Sequence, residues 1–140
     1  MTKTIITGVD GSKPAHAAAL TAARLADALG VTLYVVSAFD PTAHRDAKDA
    51  GFDPSLAAER ISADSAAALQ RAYPGLKVLS RAIAGSKPAE ALLQVAEGLG
   101  ADMIVVGNKR VKGLGRLLGS IASEVAAKAN CDVHIAHTHD

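Results

Sequence analysis

The chain has a single cysteine, Cys131, almost no net charge and no long apolar run, and each shortage closes off a class of protein. A lone cysteine excludes an internal disulfide framework and fits a reducing compartment. Lysine and arginine number 15 against 14 acidic residues, so no general attraction to nucleic acid or to an anionic membrane is expected. No stretch approaches the roughly 18 apolar residues of a membrane span. The opening "MTKTIITGVD" has neither the apolar segment nor the cleavage site of a secretory signal. A cytoplasmic protein that contacts neither membrane nor nucleic acid is the expectation. Several catalytic signatures are missing as well. The Gly-x-x-x-x-Gly-Lys-Ser/Thr spacing of a P-loop does not occur, and neither does a Gly-x-Ser-x-Gly nucleophile elbow.

What is present is an internal echo. Gly-Ser-Lys-Pro-Ala occurs at Gly11 to Ala15 and again at Gly85 to Ala89. Each copy follows a short apolar segment and precedes an alanine- and leucine-rich stretch that ends at a glycine, Gly30 or Gly100. The common pattern is strand, tight turn, helix, strand. Gly11 and Gly85 suit a sharp turn, Ser12 and Ser86 can cap a helix, and Pro14 and Pro88 fit only in a first turn. Ancestral duplication and convergent use of good helix-start chemistry both explain the echo, and both give one architecture.

Helical periodicity places Ala18, Ala22, Leu25 and Leu29 on one face of the first helix, and Leu92, Val95, Ala96 and Leu99 on one face of its counterpart. Small alanine faces let helices lie close to a sheet. "MIVV" (103–106) is apolar on both sides, as suits a central parallel strand, whereas "KVLSRAI" (77–83) mixes charge with apolar residues and suits an edge. A further helix spans 54–73, a last helix 120–130 and a last strand 131–138, while the polar stretch 40–54 reads as a loop. Five strands alternating with four helices in 140 residues predict one doubly wound α/β domain with right-handed crossovers.

In such a sheet the ligand crevice lies at the carboxyl ends of the strands, where the winding reverses. Asp10, then Ala38 to Asp40, then Gly107 to Lys109 fall there. From that last point runs "VVGNKRVKGLGRLLGS" (105–120), with Lys109, Arg110, Lys112 and Arg116 set among glycines. A dinucleotide fingerprint does not fit, because Gly113 and Gly115 come late and Leu118 stands where the third glycine belongs. A longer anion loop does fit: glycines turn successive N–H groups inward, Ser120 adds a hydroxyl, and the following helix presents its positive end. A basic surface loop with a good N-cap is the other reading.

The strand ending in "GVDGS", the turn "GSKPAEAL", and the loop "VVGN…GRLLGS" before "CDVHIAHT" resemble the universal stress protein family, in order over nearly the whole chain. The resemblance implies a five-stranded parallel sheet of order 3-2-1-4-5, a cytoplasmic homodimer, and induction under stress. It implies binding of ATP, with Mg2+ accompanying it, or of cyclic AMP or AMP. The site it implies begins with Gly8, Val9 and Asp10, with Asp10 facing the base or ribose and Ala38 lining the adenine slot. Val106, Gly107, Lys109, Arg110, Gly119, Ser120 and Ile121 complete it, with Gly107, Gly119 and Ser120 at the phosphates. Arg110 stands where the family's nucleotide binders carry a second glycine. A guanidinium there is a strong bidentate phosphate donor, or its long side chain fills the site. In the implied order strand 131–138 is an edge, and pairing with a second copy would cover it.

Other groupings carry less. His134, His137 and His139 invite a metal reading, but 134 and 137 point to opposite faces of a strand and no cysteine pair supports them, so a solvated tail is expected. Asp10 is the one acid at the crevice, with no histidine partner for Ser12 or Ser120; an Asx turn with Ser12 capping the first helix is its structural alternative. Three functions remain open on sequence. They are a nucleotide-sensing stress protein with an unknown protein partner, a slow ATPase or phosphotransfer protein, and a dimeric interaction module that has lost its nucleotide.

Overall fold

A computed structural model of the chain describes residues 3–42, 53–108 and 119–138. Along these residues run β1 (Thr4–Gly8), α1 (Lys13–Leu29), β2 (Thr32–Phe39), α2 (Pro54–Ala72), β3 (Val78–Ala84), α3 (Pro88–Leu99), β4 (Met103–Gly107), α4 (Ser120–Lys128) and β5 (Asp132–Ala136). The strands form one parallel sheet in the order β3-β2-β1-β4-β5. This is the doubly wound arrangement expected, with the mixed-polarity strand 77–83 at an edge and "MIVV" inside. Of the polar stretch 40–54, Asp40 to Thr42 form a turn and Asp53 caps α2, its carboxylate accepting from the Ser55 N–H at 2.9 Å; residues 43–52 lie outside the described residues. Hydrogen bonds from the Thr42 backbone N–H and hydroxyl hold the Asp40 carboxyl below its usual range.

Two apolar layers sandwich the sheet. On one face α1 and α2 pack through Ala18, Ala19, Ala22, Ala23, Ala26, Ala66 and Leu69 against Ile5, Leu33, Val35 and Val105. On the other, α3 and α4 pack through Leu92, Val95, Ala96, Ala122 and Val125 against Ile6, Val36, Ile104 and Val106. The central strands are therefore buried on both sides, as parallel strands require. Thr7 is a polar residue in that interior, and its hydroxyl is satisfied by the Val105 carbonyl at 3.0 Å. At the opposite end of the sheet Thr4 and Asp102 tie β1 to β4. The Thr4 N–H donates to the Asp102 carboxylate and the Asp102 N–H to the Thr4 carbonyl, both at 2.9 Å.

The two copies of Gly-Ser-Lys-Pro-Ala differ in use. Ser12 is the N-cap of α1 and accepts from the Ala15 N–H at 3.3 Å, while Gly11 supplies a left-handed φ of 85°. In the second copy Lys87 holds the N-cap position, no side chain caps α3, and Gly85 has no positive φ. Ser86 therefore does not cap as expected: without the left-handed turn that Gly11 makes, α3 begins one residue later in the repeat than α1, with Lys87 in place of the serine at the N-cap. The expected apolar face of α1 also ends early: Leu25 is half-buried and Leu29 is 61% exposed. The final turn of α1 has run past the sheet by that point.

Helices α1 and α3 both end in a left-handed glycine, Gly30 at φ 69° and Gly100 at φ 61°. A Cβ at Gly30 would meet nothing within 4 Å, so Gly30→Ala isolates the conformational cost. We expect a loss of about 1 kcal/mol from that cost alone, read as a lower urea midpoint at unchanged m-value. An unchanged midpoint would refute the left-handed cap.

Candidate functional site

Winding reverses between β1 and β4. The connection leaving β1 crosses one face toward β2, and that leaving β4 crosses the other toward β5, so the carboxyl ends of this central pair diverge into a crevice. A cavity of about 270 Å3 occupies it, just under the roughly 300–1,000 Å3 usual for enclosed small-molecule sites. Gly8, Val9 and Asp10 line it from β1, Val36 and Ala38 from β2, Val106 and Gly107 from β4. Three helix starts close it: Ser12, Pro14 and Ala15 of α1, Pro88, Ala91 and Leu92 of α3, and Gly119, Ser120 and Ile121 of α4. Thr138, beyond the end of β5, completes the wall.

The helix starts differ in what they leave free. In α1 Ser12 takes one of the first-turn N–H groups, and Asp10 accepts from the Ser12 N–H at 2.9 Å in an Asx turn. The structural alternative for Asp10 and Ser12 is thus realised, with both residues still at the cavity wall. In α4 the N-cap position belongs to Gly119 (φ −62°, ψ 160°), and no side chain caps the helix. Ser120 is the first helical residue, so it does not cap its own helix. Its hydroxyl and the uncapped N–H groups of α4 remain as donors beside the cavity. Aligned peptide dipoles make this end positive. Among the described lining residues Asp10 is the only ionisable side chain.

Of the residues expected from sequence, Gly8, Val9, Asp10, Ala38, Val106, Gly107, Gly119, Ser120 and Ile121 come together around this one cavity. Lys109 and Arg110 lie outside the described residues, as do Lys112, Gly113, Gly115 and Arg116. The sequence reading missed Val36, the α3 residues Pro88, Ala91 and Leu92, and Thr138. The repeated pentapeptide was the signal for α3, since its first copy already stood at the crevice. For Thr138 a polar residue after the last strand carried no signal. His139 is outside the described residues, and among those described no cluster of His, Cys, Asp or Glu suits a metal ion. Desolvation by burial, with the carboxylates of Asp132 and Asp102 nearby, raises the Cys131 thiol above its usual range. It stays protonated at neutral pH and is a poor nucleophile.

The sequence profile of the universal stress protein family matches residues 1–137. A universal stress protein of Thermus aquaticus is 36% identical over 134 residues, covering 95% of this chain and 97% of the relative. One from Mycobacterium tuberculosis (strain ATCC 25618 / H37Rv) is 37% identical over an alignment of 147 residues, covering 97% of each. Among solved structures, a universal stress protein in complex with cAMP superposes with a TM-score of 0.75 at 30% identity, over 99% of this chain and 98% of that one. A universal stress protein from Archaeoglobus fulgidus in complex with dAMP gives a TM-score of 0.71 at 23% identity, over 96% and 97%. That second likeness concerns the fold alone. In the described residues no helix is long and apolar enough to cross a membrane.

The contact between Gly107 and Thr138 generates a prediction. A Cβ on Gly107 would stand 3.2 Å from Thr138 Cγ2 and 3.4 Å from Ala18 Cβ. The Gly107 backbone is ordinary strand, so alanine without a clash would stabilise by about 0.5 kcal/mol. The crowding should outweigh this and leave Gly107→Ala about 1 kcal/mol less stable. Thr138→Ser, which removes Cγ2 and keeps the hydroxyl, should recover part of that loss in the double variant, measured by denaturant titration as a double-mutant cycle. Strict additivity would show that the two residues do not press on each other.

Proposed function

The chain belongs to the universal stress protein family, and from that premise we propose that it binds an adenine nucleotide as a non-catalytic, homodimeric stress-response protein of the cytoplasm. One observation carries the reading: the uncapped start of α4, with Gly107, Gly119 and Ser120, faces a cavity at the point where the sheet reverses its winding. Free N–H groups at a helix start are a ready anion site. The apolar wall of Val9, Val36 and Ala38 suits a purine ring, so base and phosphate have complementary places at opposite ends of one cavity. The relative solved with cAMP, at 30% identity over almost the full chain, supports the ligand class. ATP and cyclic AMP share the adenosine and first phosphate that this cavity fits. Further phosphates of ATP would extend past Ser120, and a Mg2+ accompanying them would meet Asp10 as the one carboxylate of the described wall. A change of surface at the α4 start is how occupancy would reach a protein partner.

Among the described residues no general base stands by for water. Asp10 is exposed with Oδ1 held by the Ser12 N–H, and no histidine lines the cavity among the described residues. The reading is therefore a binding protein whose hydrolysis of ATP stays far below one per second.

Calorimetry with ATP and cyclic AMP tests this directly. The wild-type chain should bind at least one of them in the micromolar range. Gly119→Val, which puts a branched side chain where the phosphate approaches, should abolish binding, and Ser120→Ala should weaken it by about 1 kcal/mol. Phosphate release of several per second by the same wild-type sample, lost in Asp10→Asn, would make the protein an enzyme. Silence with both nucleotides would leave an interaction module.

Assembly is checked separately. β5 forms one edge of the sheet, with Val133 and Ile135 turned toward the α3–α4 layer, so its backbone is free along the outer side. Multi-angle light scattering at micromolar concentration should give a dimer. A monomer at every concentration would remove the homodimer from the reading.

A further inference from the structure

We propose that Thr138 recognises a sugar hydroxyl of the ligand, a role that rests on the nucleotide reading above. Thr138 lines the cavity beside Gly107, where the glycine's missing side chain leaves room for it: a Cβ built there would lie 3.2 Å from Thr138 Cγ2 and 3.7 Å from its Oγ1. This places the hydroxyl at the β4 end of the cavity, near the phosphate donors of α4 and across from the apolar wall of Val9, Val36 and Ala38.

The proton of that hydroxyl is already committed. Thr138 Oγ1 donates to the Asn108 carbonyl at 3.2 Å. Asn108 is itself held in place, because its N–H donates to the Ala136 carbonyl at 2.9 Å and extends the β4–β5 ladder by one rung. A threonine hydroxyl has one proton and two lone pairs, so toward the cavity Thr138 can only accept. The start of α4 is the reverse, with free N–H groups and the Ser120 hydroxyl available to donate. Phosphate oxygens, which only accept, match α4 and mismatch Thr138. What matches Thr138 is an O–H close to the phosphate, and on a nucleotide those are the 2′ and 3′ hydroxyls of the ribose. A site built to bond a hydroxyl discriminates against the analogue that lacks it, since its own polar atom is then left unpaired.

The experiment is calorimetry on the full chain with ATP, 2′-deoxy-ATP and 3′-deoxy-ATP, for the wild type, the near-isosteric Thr138→Val and Thr138→Ser. One deoxy analogue should bind the wild type about fivefold more weakly than ATP, the worth of one neutral hydrogen bond, and which one it is identifies the hydroxyl. Thr138→Val should weaken ATP by a similar factor and no longer distinguish ATP from that analogue. Thr138→Ser should restore the distinction. Equal weakening of all three ligands by Thr138→Val would assign Thr138 a purely structural role and overturn the proposal. A wild type that binds ATP and both analogues equally would overturn it even if Thr138→Val failed to fold. Silence with all three would overturn this proposal, and silence with cyclic AMP as well would overturn the nucleotide reading with it, whereas binding without discrimination would sink this one alone.

Discussion

The closeness of α1 to the sheet is the constraint on which the site depends. Ala19, Ala22, Ala23 and Ala26 are fully buried and Ala18 nearly so, giving the helix a buried strip of methyl side chains, with Leu25 half-buried at its margin. A chain with no tryptophan and 3% aromatic residues fills its interior with such close approaches in place of large side chains. Close packing then fixes the helix axis tightly, because there is no long, pliant side chain to absorb a shift. The α1 start is consequently held against the end of β1, where Asp10, Ser12 and Ala15 reach the cavity. A leucine in place of Ala22 would lift the helix and open that wall.

Everything around the cavity comes from sequence-distant pieces brought to the same level by parallel register. Gly8 pairs with Val36 and Gly107 with Ala136, so β1, β2, β4 and the residue after β5 present their ends together. β3 and α2 contribute no lining residue; they serve the α1 face, where Ile61 of α2 comes within 3.9 Å of a Cβ placed on Gly11. The wall is thus complete only when the crossovers on both faces have formed. A ligand held there binds the folded chain alone, and at about a hundred times its dissociation constant adds roughly 2.7 kcal/mol to stability.

Much of this was legible in the sequence because it rests on local rules. Hydrophobic period, the glycine ends of α1 and α3, and the apolar "MIVV" gave the elements within a few residues of their observed bounds. The residues at the strand ends followed from topology, since a doubly wound sheet has one crevice. The failures have tertiary causes. Ser12 and Ser86 sit in identical pentapeptides, yet only Ser12 caps, because Gly11 turns left-handed ahead of α1 while Gly85 does not, and α3 begins one residue later in the repeat with Lys87 at its N-cap. Leu29 obeys the helical period and is still exposed, since period cannot tell where the sheet beneath it ends. Whether Arg110 donates to a phosphate or fills the site is a property of the segment 109–118, outside the described residues.

Thr138 shows a different limit. Its place was invisible in sequence because its meaning depends on Gly107, 31 positions earlier (138 − 107), and on a carbonyl at Asn108 that exists as an acceptor only once β4 and β5 have paired. Polar groups acquire direction from such partners. A free threonine donates and accepts alike, whereas one whose proton is fixed on a backbone carbonyl has a single valence left. The same logic runs round the cavity: Asp10 is partly spent on Ser12, Ser12 on Ala15, while the α4 start is unspent. Composition lists these groups as equivalent polar residues. Folding fixes which of them accept and which donate, and that sorting, more than the shape of the cavity, determines which ligand atoms can face which group.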